Sequence, residues 1–122
     1  MARILLVDDN EEFKRLLLGI LLTESHDVTC AGDGNEAIRE VRSAPFDLVI
    51  TDLVMPNKEG LETIREIRAK NPSIKIIAMT GGSKYSASSL SMADAFGASK
   101  TLIKPFSCDA FKSAVSTTLE AA

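Results

Sequence analysis

Long apolar runs are missing from this 122-residue sequence. Nothing approaches the roughly 20 residues that a membrane span needs. Met1-Ala2-Arg3 leads straight into a strand-like run, so nothing resembles a signal peptide and a cytoplasmic location is the expectation. Cysteine is scarce: Cys30 and Cys108 are far apart and form no Cys-x-x-Cys pair. Two ordinary packed thiols are expected, without a metal or redox role. Aromatic residues make up 5%, and the net charge is −3 with a pI near 5.1. With neither a basic footprint nor a stacking platform, direct binding of nucleic acid is not expected. No repeat, low-complexity segment or linker breaks the chain, and residues 1–122 suit one domain.

What is present is ordinary globular composition, 45% hydrophobic and 25% charged, arranged as an alternation. Strand-like runs cover Arg3–Val7, Val28–Ala31, Phe46–Thr51, Ile74–Thr80 and Thr101–Ile103. Helical patterns follow near 11–24, 35–43, 58–70, 86–96 and 108–119. The first, third and fourth runs are almost continuously apolar, as in a parallel sheet covered by helices on both faces. The expected fold is therefore α/β and doubly wound, with five parallel strands in the flavodoxin-like order 2-1-3-4-5 and five helices. Asp33 and Glu36 resemble a capping box for the second helix, and Ser107 a cap for the last. Asn71-Pro72 closes the third helix. In the first, Phe13, Leu17, Ile20 and Leu21 form one apolar stripe, and in the last Phe111, Ala114, Val115 and Leu119 do so.

Ligands of such sheets bind beyond the carboxyl ends of the strands. Asp8 and Asp9 sit at that edge of the first strand and Asp52 at that edge of the third, its neighbour in this order. Two unit charges 4 Å apart repel by about 4 kcal/mol at an effective dielectric of 20, and a domain's whole stability is only about 5–15 kcal/mol. A bound cation resolves the conflict, and an all-oxygen site suits Mg²⁺ or Mn²⁺. Asp8-Asp9 alone reads equally as surface acids beside a helix start, with Asn10 as a cap. Thr80 alone reads as a strand-end hydroxyl and Lys104 as a solvated lysine. Together at one edge they supply a hydroxyl, a cation and, from Gly81-Gly82, amide donors able to hold a phosphoryl group.

With VDDN at 7–10, DLVITDLVMPNKEG at 47–60, AMTGG at 78–82 and LIKPF at 102–106, the sequence resembles the response-regulator receiver domain of two-component signalling. The resemblance covers essentially the whole chain. It implies that Asp52 accepts a phosphoryl group from a histidine kinase or histidine phosphotransfer protein. Asp9, Asp52 and the carbonyl of Val54 would ligate Mg²⁺, with Asp8 acting through water. Lys104 would pair with phosphoryl oxygens, Thr80 and the Gly81 amide would hydrogen-bond them, and Lys104–Pro105 would be cis. Pro56 and Gly60 match the loop after the nucleophile. Asn10, Leu16, Gly19, Pro105 and Phe106 become candidate contacts for the phosphodonor, and an effector domain or protein would read the output. A monomer or weak dimer is implied.

Two departures stand out. Thr101 replaces the usual aromatic residue three positions before the lysine, which removes the ordinary aromatic readout. Val54 and Gly82 offer no polar group to orient attacking water, which implies a long-lived phosphoryl group. Tyr85 reads as an exposed loop residue and His26 as a turn residue. Competing readings are a flavin protein, a small Mg²⁺ phosphohydrolase and a degenerate receiver that serves only as a binding scaffold. Acids after the first strand oppose the flavin phosphate, and the hydrolase would want its nucleophile on that strand. The intact set Asp8, Asp9, Asp52, Thr80 and Lys104 opposes the scaffold.

Overall fold

The computed structural model describes residues 2–53, 60–80 and 97–121. Five strands, β1 (Arg3–Val7), β2 (Asp27–Ala31), β3 (Leu48–Asp52), β4 (Lys75–Thr80) and β5 (Lys100–Ile103), form one parallel sheet in the order β2-β1-β3-β4-β5. The described helices are α1 (Glu11–Thr23), α2 (Gly34–Ser43), α3 (Gly60–Lys70) and α4 (Cys108–Glu120). The helix expected over 86–96 lies outside the described residues. The expected strand order and the alternation of strand and helix are both present.

The continuous apolar runs are explained by the pleat. Successive side chains of a strand point to opposite faces, and here both faces are covered. Leu5, Val7, Val49, Ile76 and Ala78 pack on one side against Ala37 and Ile38 of α2 and Ile64 and Ile67 of α3. Ile4, Leu6, Leu48, Ile50, Ile77 and Met79 pack on the other against Leu17 and Leu21 of α1 and Phe111, Ala114 and Val115 of α4. The outer strands β2 and β5 are only partly buried, and their sequences are correspondingly mixed. In α4 Thr118 takes the last buried position, while the expected Leu119 is half-buried.

Local signals hold the helix ends. The Asp33 carboxylate accepts from Glu36 N at 2.8 Å, and Glu36 reaches back to Gly32 N at 3.1 Å, one residue before the cap. Ser107 Oγ accepts from Ala110 N at 2.9 Å. His26 is indeed a turn residue: its Nδ1 accepts from Ala2 N at 3.1 Å, just after Ser25 at φ 65°. Neither cysteine forms a disulfide. Cys30 is half-buried, but Cys108 is exposed, which corrects the expectation of packing. It occupies the first position of α4, three residues before the first buried side chain, Phe111.

Arg68 ties three segments together. Its guanidinium donates to Pro72 O at 2.9 Å, to Ile74 O and to Gly97 O at 2.5 Å. Burial lowers its pKa from the ordinary arginine value. Gly97 has φ +112°, and a Cβ there would lie 2.8 Å from Arg68 Nε. Gly97→Ala should therefore destabilise the protein by about 1–3 kcal/mol, combining left-handed strain with loss of the guanidinium bonds. Urea unfolding checks this, and an unchanged midpoint would contradict it.

Candidate functional site

The site forms where β1 and β3, adjacent in the sheet, reach their carboxyl ends. Pairing beside β1 continues one residue past the strand, with Asp8 N donating to Ala31 O at 3.2 Å. The chain then turns: Asn10 N donates to Asp8 Oδ1 at 2.9 Å, and Asn10 Oδ1 accepts from Phe13 N at 3.0 Å. This Asx turn and helix cap use VDDN to start α1 while aiming Asp8 inward. Asp8 is fully buried, Asp9 is exposed and Asp52 is 6% exposed. One carboxylate oxygen from each lies within 4.8 Å of the others. The expected convergence of Asp8, Asp9 and Asp52 is therefore present.

Lys104 faces this cluster from the far side of the sheet. Its backbone N donates to Thr80 O at 2.7 Å, which extends the β4–β5 pairing beyond Ile103. Its ammonium then reaches Asp52 Oδ2 at 3.0 Å and Asp8 Oδ2 at 3.3 Å. The Lys104–Pro105 bond is cis, as the resemblance implied. Thr80 is buried, and its hydroxyl has no hydrogen-bond partner among the described residues. A buried hydroxyl without a partner costs about 1–3 kcal/mol. An arriving oxygen acceptor or donor would remove that cost. The Val54 carbonyl and the Gly81 amide lie outside the described residues, as do Pro56, Gly82 and Tyr85.

Among the described residues, one ammonium faces three carboxylates, a local charge of about −2 when all are ionised. Burial raises the Asp8 pKa above the ordinary aspartate value of 3.8, and the charge of Asp52 adds to it. The Asn10 amide and Lys104 pull the other way without overcoming burial. The three acids have the hard oxygen chemistry and the spacing that suit a divalent cation.

Sequence reasoning missed two features of this site. Lys104 pairs with Asp8 as well as Asp52, across 96 residues of chain. Phe13, read only as part of the apolar stripe of α1, lies under that ammonium, with its ring centroid 4.4 Å from Nζ. No local sequence signal marks either contact. The stripe also omits Lys14, which is buried on α1 and paired with Glu11 at 2.9 Å. Of the candidate partner contacts, Leu16 is 60% exposed, Gly19 and Pro105 are exposed, and Phe106 is half-buried. Leu16 and Phe106 line one groove of about 140 Å³ with Phe13 and Cys108. Asn10 differs from the rest, because its side chain is engaged as the α1 cap.

The class of protein follows from this geometry: a doubly wound sheet with an acidic, lysine-faced crevice at its topological switch point. A family model for the response regulator receiver domain matches residues 4–116. The response regulator receiver protein CpdR of Brucella abortus is 36% identical over 107 residues, which are 87% of this chain and 87% of that protein. The transcriptional regulatory protein ZraR of Escherichia coli K12 is 35% identical over 106 residues, 87% of this chain but 24% of that protein. The chemotaxis protein CheY4 of Vibrio cholerae superposes with a TM-score of 0.89 at 28% identity, covering 97% of this chain and 98% of that chain. The chain belongs to the response regulator receiver domain family, the phosphorylation-accepting modules of two-component signalling.

The Asp8 environment generates a pH prediction. Its folded-state pKa is raised, so the protonated form favours folding. That contribution is complete below 3.8 and is lost as the pH rises through the raised value. In the metal-free protein Asp8→Asn should therefore increase stability at neutral pH, with the gain shrinking as the pH falls towards 3.8. Urea midpoints in chelator across this range decide it; a loss of stability at neutral pH would contradict the account.

Proposed function

We propose that Asp52 is the phosphoacceptor of this receiver domain. Asp9, Asp52 and the Val54 carbonyl hold Mg²⁺ (or Mn²⁺), with Asp8 acting through water. The observation that carries the reading is the Lys104 ammonium shared between Asp52 and Asp8 beside an exposed third carboxylate, Asp9. When bound, the divalent cation neutralises charge on the phosphoryl oxygens and relieves repulsion among the acids.

The protein's own groups do the rest. An oxygen of the Asp52 carboxylate forms the new O–P bond in line as the P–N bond to a donor histidine breaks, and the imidazole leaves with the electron pair. Lys104 moves its donors from Asp52 to the phosphoryl oxygens. The Thr80 hydroxyl, which has no hydrogen-bond partner among the described residues, supplies a further hydrogen bond, and the Gly81 amide is assigned the same role. Asp8 keeps Lys104 at the crevice, through the contact at 3.3 Å. The burial of Asp8 and Asp52 limits water around the reacting carboxylate.

The donor is a sensor histidine kinase or a histidine phosphotransfer protein. It docks on the α1 face and the β5–α4 loop through Asn10, Leu16, Gly19, Pro105 and Phe106. An effector domain or protein receives the output. The domain is a phosphoacceptor whose only chemistry is on its own Asp52, and it works in the cytoplasm. Among the described residues no helix is long and apolar enough to cross a membrane. Because neither Val54 nor Gly82 offers a polar side chain to orient attacking water, the phosphoryl group is long-lived.

Incubation with acetyl phosphate and Mg²⁺, followed by intact-mass measurement, should add one phosphoryl group. The addition should vanish with chelator and fall at least about 100-fold in rate in Asp52→Asn, since an amide is a far poorer nucleophile than a carboxylate. Undiminished labelling of Asp52→Asn would refute the assignment. Once the donor is removed, with Mg²⁺ present and no phosphatase added, hydrolysis should take minutes or longer, and loss within seconds would contradict the lifetime proposed.

A further inference from the structure

We propose that Phe13 is a positioning residue for Lys104: its ring face fixes where the ammonium sits in the crevice. This rests on the reading of Lys104 as the phosphoryl-binding cation. A lysine ammonium has three donors on a flexible four-carbon stem. Two are taken by Asp52 at 3.0 Å and Asp8 at 3.3 Å. The Phe13 centroid lies 4.4 Å from the same nitrogen, well within the range at which the negative face of a ring attracts a cation.

The ring is itself held. Phe13 meets Phe106 edge-to-face at 5.7 Å and 67°, and Phe106 stacks on Phe111 at 5.7 Å and 12°. Phe111 is fully buried on α4, so three rings connect the ammonium to the hydrophobic core. The backbone of Phe13 is fixed as well, because its N–H donates to the Asn10 cap, whose own N–H holds Asp8. One turn of chain thus sets both a carboxylate that Lys104 pairs with and the ring beneath it.

This contact differs in kind from the two ion pairs. Transfer to Asp52 converts an acceptor of Lys104 into an acyl phosphate and moves the charge outward. The attraction of the ring does not depend on the state of Asp52, so it keeps the ammonium at the crevice before and after the reaction. A leucine would fill similar space without a negative face.

The test compares Phe13→Leu with Phe13→Tyr. In wild type, NMR of the Lys104 Cε protons should show an upfield ring-current shift in the metal-free protein. Phe13→Leu should lose that shift and slow acetyl phosphate labelling by about 3- to 10-fold, while Phe13→Tyr should keep both within about twofold. Absence of the shift in wild type overturns the proposal whatever the variants do. So does an unchanged rate in Phe13→Leu, or a Phe13→Tyr variant as slow as the leucine. Lys104→Ala separates the two levels. If it labels at the wild-type rate, the reading of Lys104 fails and takes this inference with it. If it is slow while Phe13→Leu is not, only the role of Phe13 falls.

Discussion

A single ammonium, that of Lys104, stands between carboxylates from two strands, and the site depends on that arrangement. Asp8 and Asp52 are buried at the ends of β1 and β3, where water cannot screen them well. Parallel pairing fixes their separation, and the Asx turn at Asn10 fixes the direction of Asp8. Lys104 arrives from β5, two strands from β3, so the whole sheet order is needed to bring it there. One positive charge steadies the cluster without neutralising it. The remaining negative charge, carried on hard oxygen donors, is of the kind that suits a divalent cation.

The rest of the fold keeps this edge rigid. The three central strands are buried almost throughout, with separate apolar layers above and below. Interiors packed in this way resist displacement, so small changes at the strand ends are transmitted rather than absorbed. Two cations reinforce the opposite side of the molecule. Arg68 links the end of α3 to Gly97, and Lys75 at the start of β4 donates to Leu119 O at 2.8 Å and to Ala121 O at the end of α4. At the other end of the same strand, Thr80 is buried with a hydroxyl that has no hydrogen-bond partner among the described residues. β4 is therefore anchored at one end and carries an unsatisfied group at the other.

Much of this was legible from residues alone, for reasons that can be named. Burial on both faces forces continuous apolar strands, which is why Ile4–Val7 and Ile76–Met79 could be read directly. A ligand crevice at the carboxyl edge then converts strand ends into site candidates, and Asp8, Asp9 and Asp52 do converge. Caps at Asp33, Ser107 and Asn10 were readable because they act over three residues. What escaped acts over distance or through one exposed side of an element. The pairing of Lys104 with Asp8, the ring of Phe13 beneath it and the exposure of Cys108 depend on how α1, β5 and α4 meet. Lys14 escaped for another reason: its aliphatic stem can be buried on a helix while its ammonium pairs with Glu11.

The central claim is that the crevice is built with an excess of negative charge that a divalent cation relieves. Its most direct test is the urea unfolding midpoint of wild type and Asp9→Asn, each in chelator and in saturating Mg²⁺. Binding to the folded state at about 100 times Kd should stabilise wild type by about 2.7 kcal/mol. Asp9→Asn should be the more stable of the two in chelator and should gain less from Mg²⁺. Equal midpoints for both proteins, unmoved by Mg²⁺, would contradict the account.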